Sequence, residues 1–143
     1  MQWRENASQQ TQDDVDDLFA DSLDFAQTEL RQHRSFSPFA FVVDHDGQRT
    51  ARMTDSSTPS KDAVHDALTF DHDALHLRAF AVTMDVDIPA SGEDAVEVHV
   101  EHRDGIAIDL LVPYTLAADG SIELDTSRIS AAQGQRRIWG LRL

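Results

Sequence analysis

One stretch of the sequence places a histidine among several carboxylates at the spacing of a β-strand. Residues 95–114 read AVEVHVEHRDGIAIDLLVPY, in which apolar residues alternate with polar ones. The polar positions include Glu97, His99, Glu101 and Asp109. An imidazole nitrogen together with carboxylate oxygens can bind a divalent cation or transfer a proton. These four residues, called the acidic row below, are therefore a candidate metal or acid–base site.

Two antiparallel strands joined by a tight turn must position the acidic row. Apolar residues face each other across the turn only if Val100 lies opposite Ile108, which leaves a loop of residues 103–105 with Gly105 in the left-handed conformation. This register places His99 opposite Asp109. It predicts one buried face, and it places the acidic row on the other face. The buried set is Val96, Val98, Val100, Ile106, Ile108, Leu110 and Val112.

The preceding segment, RAFAVTMDVDIP, also alternates and is predicted to be the neighbouring strand. Its acids Asp85 and Asp87 are expected to join the acidic row, so the weak candidates for metal ligands are Asp85, Glu97, His99, Glu101 and Asp109. A second interpretation is that the row is the solvated face of an antiparallel sheet in a chain with 26 acidic residues. That interpretation is favoured, so no catalytic residue, cofactor or metal is assigned, and His99→Ala is expected to leave stability unchanged.

Other motifs that could carry chemistry are weak. The tripeptide DHD occurs at residues 44–46 and 71–73, where it is typical of solvated turns. His72 and His76 have the spacing of two zinc ligands on a helix, but HDALH lacks the glutamate of a metalloprotease helix. The sequence has no cysteine, no G-x-S-x-G motif and no glycine-rich phosphate loop. These features favour a protein that is not an enzyme.

The charge of the chain limits its partners. Twelve basic residues against 26 acidic residues give a net charge of 12 − 26 = −14 with neutral histidines. A negative field of this size repels phosphates, so we expect no nucleic-acid partner and no membrane partner. The N-terminal sequence has no signal-peptide pattern and no run of about 18 apolar residues occurs, so a cytoplasmic protein is expected.

The remaining elements follow from periodicity. A helix is predicted from Thr11, its N-cap, to about residue 34, then a hairpin with a two-residue turn at residues 46–47 that pairs Val42 with Ala51. A second helix is predicted over residues 61–77, although TFDHD can end or kink it. After residue 114 the pattern weakens: AADGSIELD is predicted to be a turn and a short strand, and ISAAQGQRRIWGLRL is irregular. Ile138 and Trp139 are expected to anchor this last stretch to the core.

These elements predict an α+β fold with the order α-β-β-α-β-β-β. Residues 1–11 are predicted to be a disordered tail and residues 12–143 a single domain. The expected architecture is a two-layer sandwich, with both helices on one face of an antiparallel sheet. The same order occurs in roadblock and profilin-like domains and is close to that of secretion chaperones, which is an analogy of fold only.

Three stretches together, FSPFAFVVDHDG, VEVHVEHRDGIAIDLLVPY and RRIWG, resemble the sequences of a family of small bacterial proteins. The resemblance extends from about Phe36 to Trp139. That family has no assigned activity, so the resemblance implies a stand-alone domain and transfers no role to any residue.

The favoured function is therefore a non-catalytic domain that binds another protein or itself. Ala107, Leu111 and Pro113 are expected on the solvated face beside the acidic row, and a mixed face of this kind favours a protein partner. One alternative is an inhibitor or immunity-type partner of a basic enzyme, to which the acids would be presented. The other alternative is a metal-dependent activity on the acidic row.

Overall fold

A seven-stranded sheet, antiparallel throughout, is the centre of the structure, a computed structural model that describes residues 3–54 and 60–139. Its strands lie in the order β2-β1-β3-β4-β5, and the short strands β6 and β7 both pair with β5. Helices precede β1 and β3. The bounds are α1 Gln9–His33, β1 Phe39–Asp44, β2 Arg49–Met53, α2 Lys61–Leu68, α3 Asp73–His76, β3 Leu77–Ile88, β4 Glu93–His102, β5 Ile106–Leu116, β6 Ile122–Leu124 and β7 Ser130–Gln133.

Helix α1 begins earlier than its apolar period predicts. The Ser8 side chain caps the helix by accepting a hydrogen bond from the backbone N–H of Thr11, which is the residue predicted to be the cap. Trp3–Asn6 form a 3-10 helix, and Arg4 pairs with Asp16 of α1. Residues 3–6 and 9–11 of the predicted tail thus lie in helical segments that an ion pair and a side-chain cap support, and residues 1 and 2 lie outside the described residues.

The register predicted for β4 and β5 is confirmed. Val100 lies opposite Ile108 and His99 lies opposite Asp109, as the matching of apolar positions requires. The turn between the strands contains Gly105 at a φ of 100°, a conformation that glycine adopts without steric cost. Five of the seven predicted core residues are buried, and Ile106 and Leu110 are half-buried at the rim of the core.

The register predicted for the first hairpin is wrong by one residue. Ala51 lies opposite Phe41 instead of Val42. The Asp44 carboxylate accepts hydrogen bonds from the backbone N–H groups two and four residues later, both at 2.9 Å. This side chain closes a longer loop with Gly47 at a φ of 85°, so a three-residue connection replaces the predicted two-residue turn.

The predicted second helix is divided into α2 and α3, as the sequence TFDHD allowed. Asp73, at the start of α3, accepts hydrogen bonds from the backbone N–H of Phe70 at 2.7 Å and from the guanidinium of Arg52 at 2.8 and 2.9 Å. These bonds fix a turn between the two helices. Leu77 then begins β3 instead of ending a helix.

The two faces of the sheet carry two separate apolar clusters. The α+β class, the antiparallel sheet and helix packing on one face are confirmed, with α1 packing on the small residues of alternate strand positions, Ala79, Ala81, Val96, Val98 and Val100. Helix α2 contributes Val64 and Leu68 to the second cluster, which contains Ala40, Val42, Phe80, Val82 and Met84. The expectation that both helices share one face is thus corrected, because β3 presents its large apolar side chains on the face opposite α1.

After β5, strand β6 lies where a turn and a short strand were predicted, whereas β7 lies in the stretch predicted to be irregular. Ile138 and Trp139 pack against the second cluster, as expected. The indole N–H of Trp139 donates to the carbonyl oxygen of Ala74 at 3.1 Å. Among residues 3–54 and 60–139, no helix is long and apolar enough to cross a membrane.

Candidate functional site

The acidic row lies on the sheet face that α2 and the C-terminal segment, residues 134–139, cover. His99 and Glu101 are 1% and 0% exposed, and Asp109 is about half-buried. The expectation of a solvated face is therefore wrong. Ala107 and Pro113, expected to be exposed beside the row, are buried as well, and Leu111 is half-buried.

His99 lies between two carboxylates. Its Nδ1 is 2.7 Å from Oδ1 of Asp109, and its Nε2 is 3.4 Å from Oε1 of Glu101. Burial opposes a charged imidazole, but the hydrogen bonds and charges of Asp109 and Glu101 outweigh it and raise the pKa of His99. The same contacts hold the pKa of Asp109 and of Glu101 below their ordinary values despite burial. The three side chains therefore form an ionised network with one positive and two negative charges.

Glu101 also fixes the C-terminal segment to the sheet. Its two oxygens accept hydrogen bonds from three consecutive backbone N–H groups, those of Arg137 at 2.7 Å, Ile138 at 3.1 Å and Trp139 at 2.9 Å. A buried carboxylate that satisfies successive backbone donors acts as an internal anion site. In the same segment, the N–H of Gly134 donates to the carbonyl oxygen of Ala107 at 2.8 Å.

Gly134 lies directly over the ion network. A Cβ at this position would be 3.1 Å from Oδ1 of Asp109 and 3.1 Å from Nδ1 of His99. This close approach favours a residue without a side chain, because a Cβ would force the Asp109 and His99 side chains to move by a few tenths of an ångström. The C-terminal segment therefore seals the network on the side of β5.

His65 of α2, which no sequence motif singled out, seals the network on the other side. Its ring lies edge-on to that of His99, with centroids 4.9 Å apart. Both of its nitrogens are buried without a hydrogen-bond partner among the described residues. Burial, followed by the nearby positive groups His99, Arg137 and Lys61, lowers the pKa of His65 to about 3. The helical period that buries Val64 and Leu68 places His65 at the edge of the same apolar face of α2, and this position could have predicted its burial.

The other two candidate ligands do not complete a metal site. Glu97 lies at the outer end of the row and pairs with Lys61. Asp85 lies on the α1 face of the sheet, because it is paired with Val96, and the Tyr114 hydroxyl donates to it at 2.5 Å. Burial raises the pKa of Asp85. The five candidates therefore do not converge, since one of them lies on the opposite face.

The chemistry available to the network is limited by its contacts. In the part of the chain that the structure describes, no group of three or more His, Asp or Glu side chains is arranged to hold a metal ion. Both ring nitrogens of His99 face carboxylate oxygens. The arrangement suits internal charge neutralisation and fastening of a segment, since a buried charge must be paired to be tolerated.

The histidines of the two DHD tripeptides are exposed and lie apart from the network. Nε2 of His45 is 2.9 Å from the carbonyl oxygen of Leu75, and the rings of His72 and His76 are 5.5 Å apart on the surface. Asp73 of the second tripeptide serves the buried ion pair with Arg52 described above. These residues support turns and local structure.

A different surface remains open at the edge of the sheet beside α1. We call it the β2 cleft; it is lined by Asp21, Asp24, Phe25, Thr28, Glu29, His33, Phe36, Phe41, Met53 and Thr54. It consists of two adjoining hollows of about 470 and 350 Å³ that share Phe25. Phe25, Phe36 and Phe41 are half-buried, and Met53 is 55% exposed. The cleft thus has an apolar floor that the fold leaves partly uncovered.

The floor of the β2 cleft is built by aromatic packing. The Phe25 ring lies 4.6 Å from that of Phe39 and 6.0 Å from that of Phe41, while Phe36 lies 5.6 Å from Phe39. Fully buried Phe39 fixes the other three rings at the surface. The cleft is therefore a preformed feature of the core and its edge.

Comparison with known proteins gives no match: no family model, no curated protein and no solved structure matches the chain. The resemblance to small bacterial proteins stays a prediction. Function is therefore inferred from the geometry of the chain itself.

Proposed function

We propose that the protein acts without catalysis, by binding another protein at the β2 cleft. The observation that carries the proposal is the row of half-buried phenylalanines beside an exposed methionine at the end of the sheet. Partly exposed apolar clusters with a polar rim are typical of protein–protein contact sites. Aromatic residues and methionine are also the side chains enriched in such contacts.

The ion network supports the non-catalytic part of the proposal. His99 and Glu101 are sealed from solvent, and their polar atoms are engaged with each other, with Asp109 and with the C-terminal segment. A substrate would have to displace that segment before it reached the imidazole. This makes the network a better structural device than an active site.

Site-specific photo-crosslinking tests the proposal. A photoreactive amino acid replaces Met53 in the β2 cleft, and in a parallel protein it replaces Leu75, which is 69% exposed elsewhere on the surface. We expect a saturable adduct of defined mass from position 53 and none from position 75. Leu75 is the matched control because it is the other large apolar side chain with more than half of its surface exposed among the described residues.

Competition shows whether the adduct depends on the cleft. Unlabelled wild-type protein and the Leu75→Asp variant should suppress the adduct equally, whereas Met53→Asp should fail to suppress it because a charge would lie on the apolar floor. An adduct that Met53→Asp suppresses as well as wild type would contradict the proposal, as would an adduct formed only from position 75.

Self-association is one form of the proposal, in which the adduct has the mass of a dimer. The net charge of −14 opposes association of identical chains. Salt screens that repulsion, so dimers should increase as ionic strength rises. Sedimentation velocity at about 20 mM and about 300 mM salt distinguishes this form from binding to a basic partner, which salt should weaken.

A further inference from the structure

We infer that the occupant of the β2 cleft is an extended basic segment of the partner, which adds as a strand to the open edge of β2. The inference rests on the proposed function and specifies the chemistry of the partner. Two features of the cleft lead to it: the outer edge of β2, where no further strand pairs among residues 3–54 and 60–139, and the carboxylates along the facing side of α1.

The backbone of β2 presents hydrogen-bonding groups at the sheet edge. β1 is the strand that pairs with β2 among the described residues, and the backbone N–H of Thr54 donates to Pro38 of the β1 side at 3.2 Å. Along an antiparallel strand, residues whose backbone N–H and C=O groups point toward the paired strand alternate with residues whose groups point away from it. Arg49, Ala51 and Met53 therefore direct their N–H and C=O groups outward.

Edge strands are commonly protected from strand addition by charged side chains. β2 carries two such residues, but both are turned away from the edge. Arg49 pairs with Asp17 and Asp21 of α1, and Arg52 pairs with buried Asp73. The outward backbone groups are consequently accessible to an incoming strand.

The α1 side of the cleft selects basic side chains. Asp17, Asp21, Asp24 and Glu29 lie on it, where Arg49 contacts Asp17 and Asp21 and the His33 ring lies 3.6 Å from Glu29, so Asp24 is left for an incoming cation. A strand residue opposite Ala51 has its side chain on the same face of the sheet, toward Phe41 and α1. A lysine or arginine there would lay its aliphatic stem on the phenylalanines and its charge beside Asp24. A single basic side chain would thus contact the apolar floor with its stem and the acidic rim with its charge.

Three short peptides separate these contributions. The probe is acetyl-Thr-Lys-Thr-Lys-Thr-Lys-Thr-amide, and its two counterparts carry norleucine or glutamate in place of lysine. We expect binding in the order lysine, norleucine, glutamate, with the glutamate peptide at least about tenfold weaker than the lysine peptide. Raising salt from about 50 mM to about 300 mM should weaken the lysine peptide and leave the norleucine peptide unchanged. Equal affinity for the lysine and glutamate peptides would overturn the inference.

Backbone methylation tests strand addition without altering the protein. Only every second amide of an added strand donates to β2, so N-methylation of the lysine residues and of the threonine residues should have unequal effects. One of the two methylated peptides should lose binding at least about tenfold, and the other should bind almost normally. Equal affinities of the two would show that no strand is added.

Protein variants locate the contact. Ala51→Pro removes one outward N–H at an edge position that tolerates proline, and Ala51→Val keeps it, so only the proline variant should lose peptide binding. Asp24→Lys should weaken the lysine peptide, whereas Asp66→Lys makes the same charge change on exposed α2 and should not. If position 53 crosslinks a protein but the lysine peptide does not bind, the inference fails and the proposed function stands. If position 53 gives no adduct, the proposed function itself fails.

Discussion

Replacing Glu101 with glutamine tests whether one buried carboxylate fastens the C-terminal segment to the sheet. Glu101 is fully buried and accepts three backbone hydrogen bonds, from residues 137–139. A hydrogen bond to a charged group contributes about 1.5–3 kcal/mol, against about 0.5–1.5 kcal/mol for a neutral pair. Glutamine removes the charge and replaces one acceptor oxygen by an NH2 donor, so at least one backbone N–H loses its acceptor and the other bonds weaken, which together should cost about 3 kcal/mol.

Urea denaturation with two probes measures this loss. Far-ultraviolet circular dichroism gives the free energy of unfolding, which we expect to fall by about 3 kcal/mol in Glu101→Gln. Tryptophan emission reports the segment itself, since Trp139 packs on Phe80 with ring centroids 6.0 Å apart. Measured in a Trp3→Phe background, the emission of Trp139 in the folded variant should shift to longer wavelength as the segment loosens.

Glu97→Gln is the matched control for this substitution. Glu97 lies in the same row on the same strand, but its side chain is 16% exposed and it pairs with Lys61 near the surface. Loss of the Glu97 carboxylate charge should change the free energy of unfolding by no more than about 1 kcal/mol. The reasoning is refuted if the two variants are equally stable and Trp139 emission is unchanged, because apolar packing alone would then hold the segment.

Three further substitutions test the buried faces. Val98→Asp should prevent folding, because it places an unpaired carboxylate under α1 at a fully buried position; a native circular-dichroism spectrum and an unchanged melting temperature would contradict the observed register. His99→Ala would leave stability unchanged if the row were solvated. Because it leaves two buried carboxylates without their cation, it should lower the free energy of unfolding, measured by urea denaturation, by about 3–5 kcal/mol. A free energy of unfolding within about 1 kcal/mol of wild type would contradict this. His65 has a pKa of about 3 in the folded protein and about 6.5 when unfolded, so the unfolded state binds the extra proton and stability falls as pH falls from about 6.5 to 3. The lowered pKa values of Glu101 and Asp109 act in the same direction at low pH, and His65→Leu should flatten the upper part of this window; an unchanged slope of unfolding free energy against pH would contradict the assignment.

The sequence predicted the parts of the fold that alternation and turn chemistry determine. The pairing of His99 with Asp109 follows from matching valines across β4 and β5, because a slip of one residue would move the acids under α1 and take the valines out of the cluster beneath that helix. The register predicted for the first hairpin was wrong by one residue, because the Asp44 side chain, and not the matching of apolar residues, closes its loop. Local side-chain hydrogen bonds of this kind leave no periodic signal.

The surroundings of the acidic row could not be predicted for a related reason. Residues 134–139 have neither helical nor strand period, so nothing in their pattern shows that they cross the row and donate three N–H groups to Glu101. The face that α2 occupies depends on how the chain crosses the sheet after β2, which is a tertiary property. The sequence therefore predicted correctly which residues share the face of the acidic row, but it did not predict that this face is buried.

The distribution of charge connects the sealed face with the open edge. Inside the described structure, buried acids are neutralised by nearby cations or by backbone donors: Asp73 by Arg52, Asp14 by Arg78, and Glu101 by His99 and the C-terminal segment. Acids on the exposed side of α1 outnumber the cations beside them, so this side presents an excess of negative charge to solvent. A basic partner segment would be attracted to that charge without disturbing the buried pairs. High salt should consequently weaken partner binding while leaving Trp139 emission, and hence the sealed face, unchanged.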